Sequence, residues 1–206
     1  MTQAENDRCD KVLRLIDQKL KTHVLSSINN LGTPEVRISS DKFTEFFKLL
    51  KLDSELSFNV FLSVTATDWL DDKDERFELV YHLLSTTRLH RIRIKISLPE
   101  NALKIPSLVP LWKGANYMER EVFDMYGVEF VDHPDLRRIL MYDEFVGYPL
   151  RKDYPVQGKQ PRVPLRSPEV ENTARLMERP PLAEALVQIG GSTGKSAKES
   201  AKEIAS

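Results

Sequence analysis

Between residues 90 and 98 the chain alternates without a break. Apolar Ile92, Ile94, Ile96 and Leu98 fall on one parity, and Arg91, Arg93 and Lys95 on the other. A period of two places these sets on opposite faces of a β-strand, so the segment requires a sheet with one buried and one wetted face. Two more strand-like runs precede it. One spans 58–67 and is rich in aromatic and β-branched residues; the other spans 77–86, after the acidic turn Asp71, Asp72, Lys73, Asp74, Glu75. Short links between consecutive strands predict antiparallel pairing. The basic parity of 90–98 has two readings: charges that keep an exposed sheet face from unwanted pairing, or a docking surface for an acidic partner.

Around this sheet the period changes to that of helices. Val12, Leu13, Leu15, Ile16, Leu20, Val24 and Ile28 predict one amphipathic helix over 7–28, ended by Gly32, Thr33 and Pro34. Residues 35–39 read as a short strand with Val36 and Ile38 on one face. Ser40 or Asp41 is placed to cap a second helix, whose stripe is Phe43, Phe46, Phe47 and Leu50. A connector containing Pro99, Pro106 and Pro110 leads to a third helix from Asn116. Its apolar side is Tyr117, Met118, Val122 and Met125, and its charged side is Glu119, Arg120, Glu121 and Asp124. Arg120 and Asp124 are spaced to pair along the helix, and Gly127 suits a left-handed cap. This order predicts a compact α+β domain over 1–130, with a mainly antiparallel or mixed sheet packed by helices.

The remainder differs in kind. Seven of the 12 prolines fall after residue 144. Proline breaks helix and sheet, so 131–189 is expected to be an extended arm that becomes ordered against a partner. Residues 190–206 are expected to form a flexible or marginally helical tail.

Several function classes are set aside by composition. The formal net charge is -1 and the pI about 6.5, which gives no basic field for nucleic acid. No apolar run approaches the ~20 residues that span a bilayer. The first ten residues, MTQAENDRCD, lack the basic and apolar regions of a signal peptide, which predicts a chain that stays where it is made. The single cysteine, Cys9, permits no internal disulfide and no four-thiolate iron–sulfur cluster in this chain alone, and its acidic neighbours mark it as an unreactive bystander.

Motifs for chemistry are equally scarce. His23, His82, His90 and His133 show no metal-ligand spacing, and neither a nucleophile elbow nor a dinucleotide fingerprint occurs. Residues 189–196, IGGSTGKS, end like a phosphate-binding loop, but Gly190 sits one position too late for its cradle, so the likeness is a coincidence. Glu119 and Glu121 flank Arg120, yet adjacent helical residues diverge and form no acid/base pair.

What remains is 119–155: EREVFDMYGVEFVDHPDLRRILMYDEFVGYPLRKDYP. A charged helix face, a glycine stop, His133–Pro134–Asp135, a basic–apolar segment and the run Pro149, Leu150, Arg151, Lys152, Asp153, Tyr154, Pro155 follow one another. Charges this dense fit arginine–carboxylate pairs that fix geometry between elements.

This segment resembles the signature of the complex I (NDH-1) 30 kDa family, the C-type subunit of bacteria and the J-type subunit of chloroplasts. The resemblance rests on Glu119, Arg120, Glu121, Asp124, Gly127, His133, Pro134, Asp135, Leu136 and Arg137, and on 149–155. Ala66–Thr67–Asp68 and the stretch 111–117 also fit, so that it covers roughly 35–156. It implies an α+β domain and a C-terminal arm wrapping the large quinone-cavity subunit (the D-type, or 49 kDa, subunit), with the B-type and I-type subunits as neighbours. It also implies that FMN, iron–sulfur clusters and quinone lie in partner subunits and none in this chain. The expected role is a core scaffold in the hydrophilic arm of a proton-translocating NADH:quinone oxidoreductase. The expected site is the cytoplasmic face of the inner membrane, reached only through the complex. Glu119, Arg120, Glu121, Asp124, Gly127, His133, Pro134, Asp135, Arg137, Pro149, Arg151, Lys152, Asp153 and Pro155 are its expected signature and interface residues, none of them catalytic. The alternative is the equivalent subunit of a membrane-bound hydrogenase, or of a quinone reductase without an NADH-input module.

Overall fold

A computed structural model describes residues 3–72, 75–157 and 160. The segments 162–189 and 190–206, the glycine loop at 189–196 and the middle of the acidic turn lie outside the described residues.

The strand predicted at 90–98 is present as β5, His90–Leu98. With β3 (Val60–Asp68) and β4 (Phe77–Ser85) it forms an antiparallel meander, in register at Val64↔Tyr81↔Ile94 and Ala66↔Leu79↔Ile96. On its other side β5 pairs in parallel with β2 (Thr33–Ile38), which is joined by a hairpin to β1 (Val24–Asn30). The sheet is therefore mixed, in the order β1-β2-β5-β4-β3. Each register sets one alternate series of a strand against one series of its neighbour, so the apolar sets fall on one face.

Three helices supply the matching apolar surface. They are α1 (Gln3–Leu20), α2 (Phe43–Leu52) and α3 (Ala115–Tyr126). Val12, Ile16 and Leu20 of α1, the Phe43/Phe46/Phe47/Leu50 stripe of α2, and Ala115 and Val122 of α3 share one core with Leu79, Tyr81, Leu83 and the β5 isoleucines. Phe47 is its centre, with ring contacts to Phe43, Phe46, Tyr81 and Trp112 at 4.7–6.2 Å. A short parallel ladder, β6 (Lys104–Pro106) with β7 (Glu129–Val131), brackets α3.

The opposite sheet face carries a lattice of charges. Glu35 accepts from Lys95 at 2.7 Å and Arg93 at 3.4 Å, and Arg37 meets Glu78 at 3.1 Å. Arg93 also donates to His82. Two of the three basic residues on β5 are thus engaged by neighbouring strands.

Three local expectations are corrected. The helix predicted over 7–28 stops at Leu20, and Val24–Asn30 is strand. Val24 and Ile28 fit a helical spacing but are not fully buried, and the turn at Leu31–Gly32, both at positive φ, closes a two-residue hairpin onto β2. Neither Ser40 nor Asp41 caps α2: a short 3-10 turn, Ser40–Lys42, leads into it without a side-chain cap. The two sides of α3 do not divide into dry and wet: Glu119 and Asp124 of the charged side are buried and Glu121 is exposed, while Tyr117 of the apolar side is exposed. Cys9 is buried in α1, where desolvation and then Asp10 push its thiol up to about 11.

Phe47→Ala is expected to lower unfolding stability by about 3–5 kcal/mol in urea titrations. Leu52→Ala, at an exposed site on the same helix, is expected to stay within about 0.5 kcal/mol.

Candidate functional site

The charge-dense segment after α3 folds back on the domain through buried carboxylates. Asp124 is the central one. Its Oδ2 accepts the backbone N–H groups of Ile139, Leu140 and Met141 at 2.8–3.0 Å, and its Oδ1 accepts from Arg138 at 2.6 Å. Burial raises the energy of the carboxylate, but these four donors outweigh it and hold the pKa below the ordinary aspartate value. Arg138 in turn donates to the carbonyls of Phe145 and Gly147 and lies over the Phe145 and Tyr148 rings. One carboxylate and one guanidinium thereby organise 138–148, which has neither helix nor strand.

Glu119 fastens the other side of α3. Its Oε1 accepts the Leu108 N–H at 2.7 Å, and its Oε2 accepts the Ser107 hydroxyl at 2.6 Å, so it pins the connector to the helix. Desolvation pushes its pKa up to about 7, against the partial relief of those two hydrogen bonds. His133 lies beside it, 3.9 Å away. Its Nδ1 accepts the Asp135 N–H and its Nε2 faces the Asn116 carbonyl, an arrangement that assigns the ring proton to Nε2. Both ring nitrogens are engaged.

Arg120 does not pair with Asp124, as their spacing predicts. It reaches off the helix to the carbonyls of Arg137 and Arg138 at 3.0 and 3.1 Å, because Asp124 points inward to Arg138. Arg137 grips Asp135 with two parallel hydrogen bonds and is 74% exposed, and Glu121 is exposed. Pro134 sits in the turn between His133 and Asp135.

The run 149–155, bracketed by Pro149 and Pro155, is anchored by a second hub. Arg76, just before β4, forks onto Asp68 at 2.8 and 2.9 Å and also binds Asp153 at 2.8 Å and Glu100 at 2.7 Å. The Lys152 N–H adds a bond to Asp68. Arg76 is the main cause of depressed carboxyl pKa values at both Asp68 and Asp153. Arg151 lies between the Phe77 and Tyr148 rings and donates to the Tyr126 carbonyl at 2.6 Å. Gly127 caps α3 at φ 77°, and a β-carbon there would sit 2.5 Å from the Tyr148 ring, so the position excludes side chains twice over.

The structure thus gathers the predicted residues around α3 and the sheet end, in two ionic hubs rather than one. Arg138, Asp68, Arg76 and Ser107 are members of this lattice that are not among the expected signature residues. The family-like Ala66–Thr67–Asp68 stretch was the one available signal for Asp68. Among the described residues no group of three or more His, Cys, Asp or Glu side chains is placed to hold a metal, and no helix is long and apolar enough to cross a membrane. The donors and acceptors here are spent on backbone and on each other; what the arrangement does is fix a backbone path.

The two kinds of carboxylate have opposite pH signatures. Asp68, Asp124 and Asp153, with depressed pKa values, contribute stability that is lost as pH falls below about 4. Glu119, raised to about 7, binds its proton more tightly folded than unfolded, so stability falls as pH rises from about 4.5 through 7. Glu119→Gln keeps the Leu108 N–H bond at its one carbonyl oxygen and reverses the other, its amide donating to Ser107 Oγ; it is expected to remove roughly 2–3 kcal/mol of this alkaline-side loss between pH 5 and 8 in denaturant titrations.

Comparison with known proteins places this architecture among relatives. A profile described as respiratory-chain NADH dehydrogenase, 30 Kd subunit, matches residues 36–160. The C-type subunit of NADH-quinone oxidoreductase from Geobacter sulfurreducens is 41% identical over 155 residues, covering 75% of this chain and 93% of that protein. The protein of the same name from Hyphomonas neptunium is 43% identical over 143 residues, covering 69% of this chain and 70% of its own. Among solved structures, a trypsin-resistant fragment of Nqo5 superposes with a TM-score of 0.54 at 30% identity, over 63% of this chain and 99% of the fragment. A chain of the membrane-bound sulfane sulfur reductase, an archaeal respiratory membrane complex, superposes with a TM-score of 0.62 at 25% identity, over 72% and 86%.

Proposed function

Because the chain belongs to the family of the respiratory-chain NADH dehydrogenase 30 Kd subunit, we propose that it is a cofactor-free core subunit of the hydrophilic arm of a proton-translocating NADH:quinone oxidoreductase. In this reading it scaffolds the large quinone-reducing subunit of the 49 kDa type, with the B-type and I-type subunits close by. It reaches the cytoplasmic face of the inner membrane only through the complex, and flavin, iron–sulfur clusters and quinone are held by its partners. In this reading the arm expected over 131–189 is what meets the large subunit.

One observation carries the reading. The segment 131–157 is anchored inward through Asp124, Arg138 and Arg76, and turns several apolar side chains outward. Leu140, Tyr142, Val146, Leu150 and Val156 are all exposed there. A loop fixed by buried ionic hubs, with exposed apolar side chains set among rim charges such as Asp132, Asp143 and Glu144, has the composition of a protein interface, not of a catalytic pocket.

The likeness to the sulfane sulfur reductase chain favours a second reading, in which the chain serves a related membrane-bound hydrogenase or a quinone reductase that lacks the NADH-input module. The proteins that co-purify separate the two: an NADH-oxidising module supports the first, and a nickel-binding large subunit the hydrogenase.

Arg120→Ala, which frees two carbonyls of the joint, and Arg137→Ala, at its exposed rim, are expected to lower the amount of intact complex several-fold. Turnover per assembled complex is expected to stay within about twofold, since neither residue touches reacting groups. Quantitative native gels against NADH:quinone activity make the comparison. Normal assembly with selectively lost turnover would contradict the scaffold role.

A further inference from the structure

Nine of the 21 lysines and arginines among the described residues are held by carboxylates: Lys19, Arg37, Arg76, Arg93, Lys95, Lys104, Arg137, Arg138 and Lys152. Four of the others are gathered at the opposite end of the sheet. Where α1 passes the tips of the β1–β2 and β4–β5 hairpins, two adjoining clefts are lined by Arg8, Lys11, Arg88 and Arg91. No carboxylate within ion-pair distance of any of the four occurs among the described residues, and Arg88 donates its side-chain hydrogens to the Ser54 carbonyl. Glu55, on the rim, is already bound by Lys19. Two of them act on His90, whose pKa is lowered by burial first and then by Arg88 and Lys11.

The same clefts present two leucines in unusual backbone. Leu31 and Leu89 occupy the hairpin tips at φ 50° and 55°, the left-handed region that favours glycine or asparagine. They are 82% and 66% exposed, so burial in the domain does not offset the strain. Both line the cleft that also contains Arg8 and Arg91. Strained backbone that displays an apolar side chain beside unpaired cations suits a contact made elsewhere.

We propose that this end of the sheet is a second docking site, for a partner-protein segment in which carboxylates alternate with apolar side chains. The carboxylates meet Arg8, Lys11, Arg88 and Arg91, and the apolar side chains seat against Leu31 and Leu89. The site lies on hairpins remote in sequence from 119–155, so it stands whether or not the scaffold reading does.

The test uses the full chain and a fluorescein-labelled peptide of alternating glutamate and leucine, read by fluorescence anisotropy. Binding is expected, weakening as salt is raised, and is expected to be absent for the peptide with lysine in place of glutamate. The double variant Arg8→Glu/Arg91→Glu, both exposed positions, is expected to lower affinity at least tenfold with an unchanged circular dichroism spectrum. Leu89→Gly separates binding from folding. It relieves the strained φ and is expected to raise the melting temperature while weakening the peptide. Absence of peptide binding, or affinity indifferent to these variants, overturns the proposal. So does binding to phosphatidylglycerol vesicles in place of the peptide, which would make the site a lipid contact.

Discussion

The buried carboxylate of Asp124 is the constraint on which the rest of the charged segment depends. An ionised group removed from water must be met by donors, and an uncompensated one costs several kcal/mol. α3 cannot supply those donors, because its own N–H groups are committed to helical bonds. They come instead from Arg138 and from three consecutive amides at 139–141, so the chain has to return across the helix at that point. Once Arg138 is placed there, its remaining hydrogens fix the carbonyls of Phe145 and Gly147, and the path of the residues between follows.

Arg76 repeats this logic at the sheet end. Asp68 closes β3 and Arg76 precedes β4, so a strand pair provides the rigid base, and Asp153 arrives from the far end of the segment. Between the two hubs, Arg151 packed by Phe77 and Tyr148 fills the space beneath Gly127. The loop is thus held at both ends by charge and in the middle by stacking. That rigidity lets a stretch without regular structure present an ordered apolar surface outward.

How much of this was legible before the fold depends on whether the deciding interaction is local. The alternation in 90–98 and the phenylalanine stripe of α2 are properties of neighbouring residues, and both elements are present with those faces buried. Val24 and Ile28 fail the same test. A spacing of four is shared by helix and strand, and only the pairing with β2 decides between them. The parallel pairing of β2 with β5 is non-local in the same way. Asp124 and Glu119 look like solvent-facing helix charges because their compensation lies in other segments: at 138–141 for one, at 107–108 for the other. The family resemblance marked both residues without revealing that they are buried, and hydrophobic periodicity argued the opposite.

The segment 119–155 is a structural joint closed from within by Asp124, Arg138 and Arg76. Amide hydrogen exchange on the isolated chain tests this most directly, at Ile139, Leu140, Met141 and Lys152. Exchange there is predicted to be slowed to rates near those of the core strands. Asp124→Asn is predicted to release the three amides at 139–141 while β5 stays protected. Exchange at the rate of an open loop in the unaltered chain would contradict a self-closed joint, and would mean that the segment is ordered only by its partner.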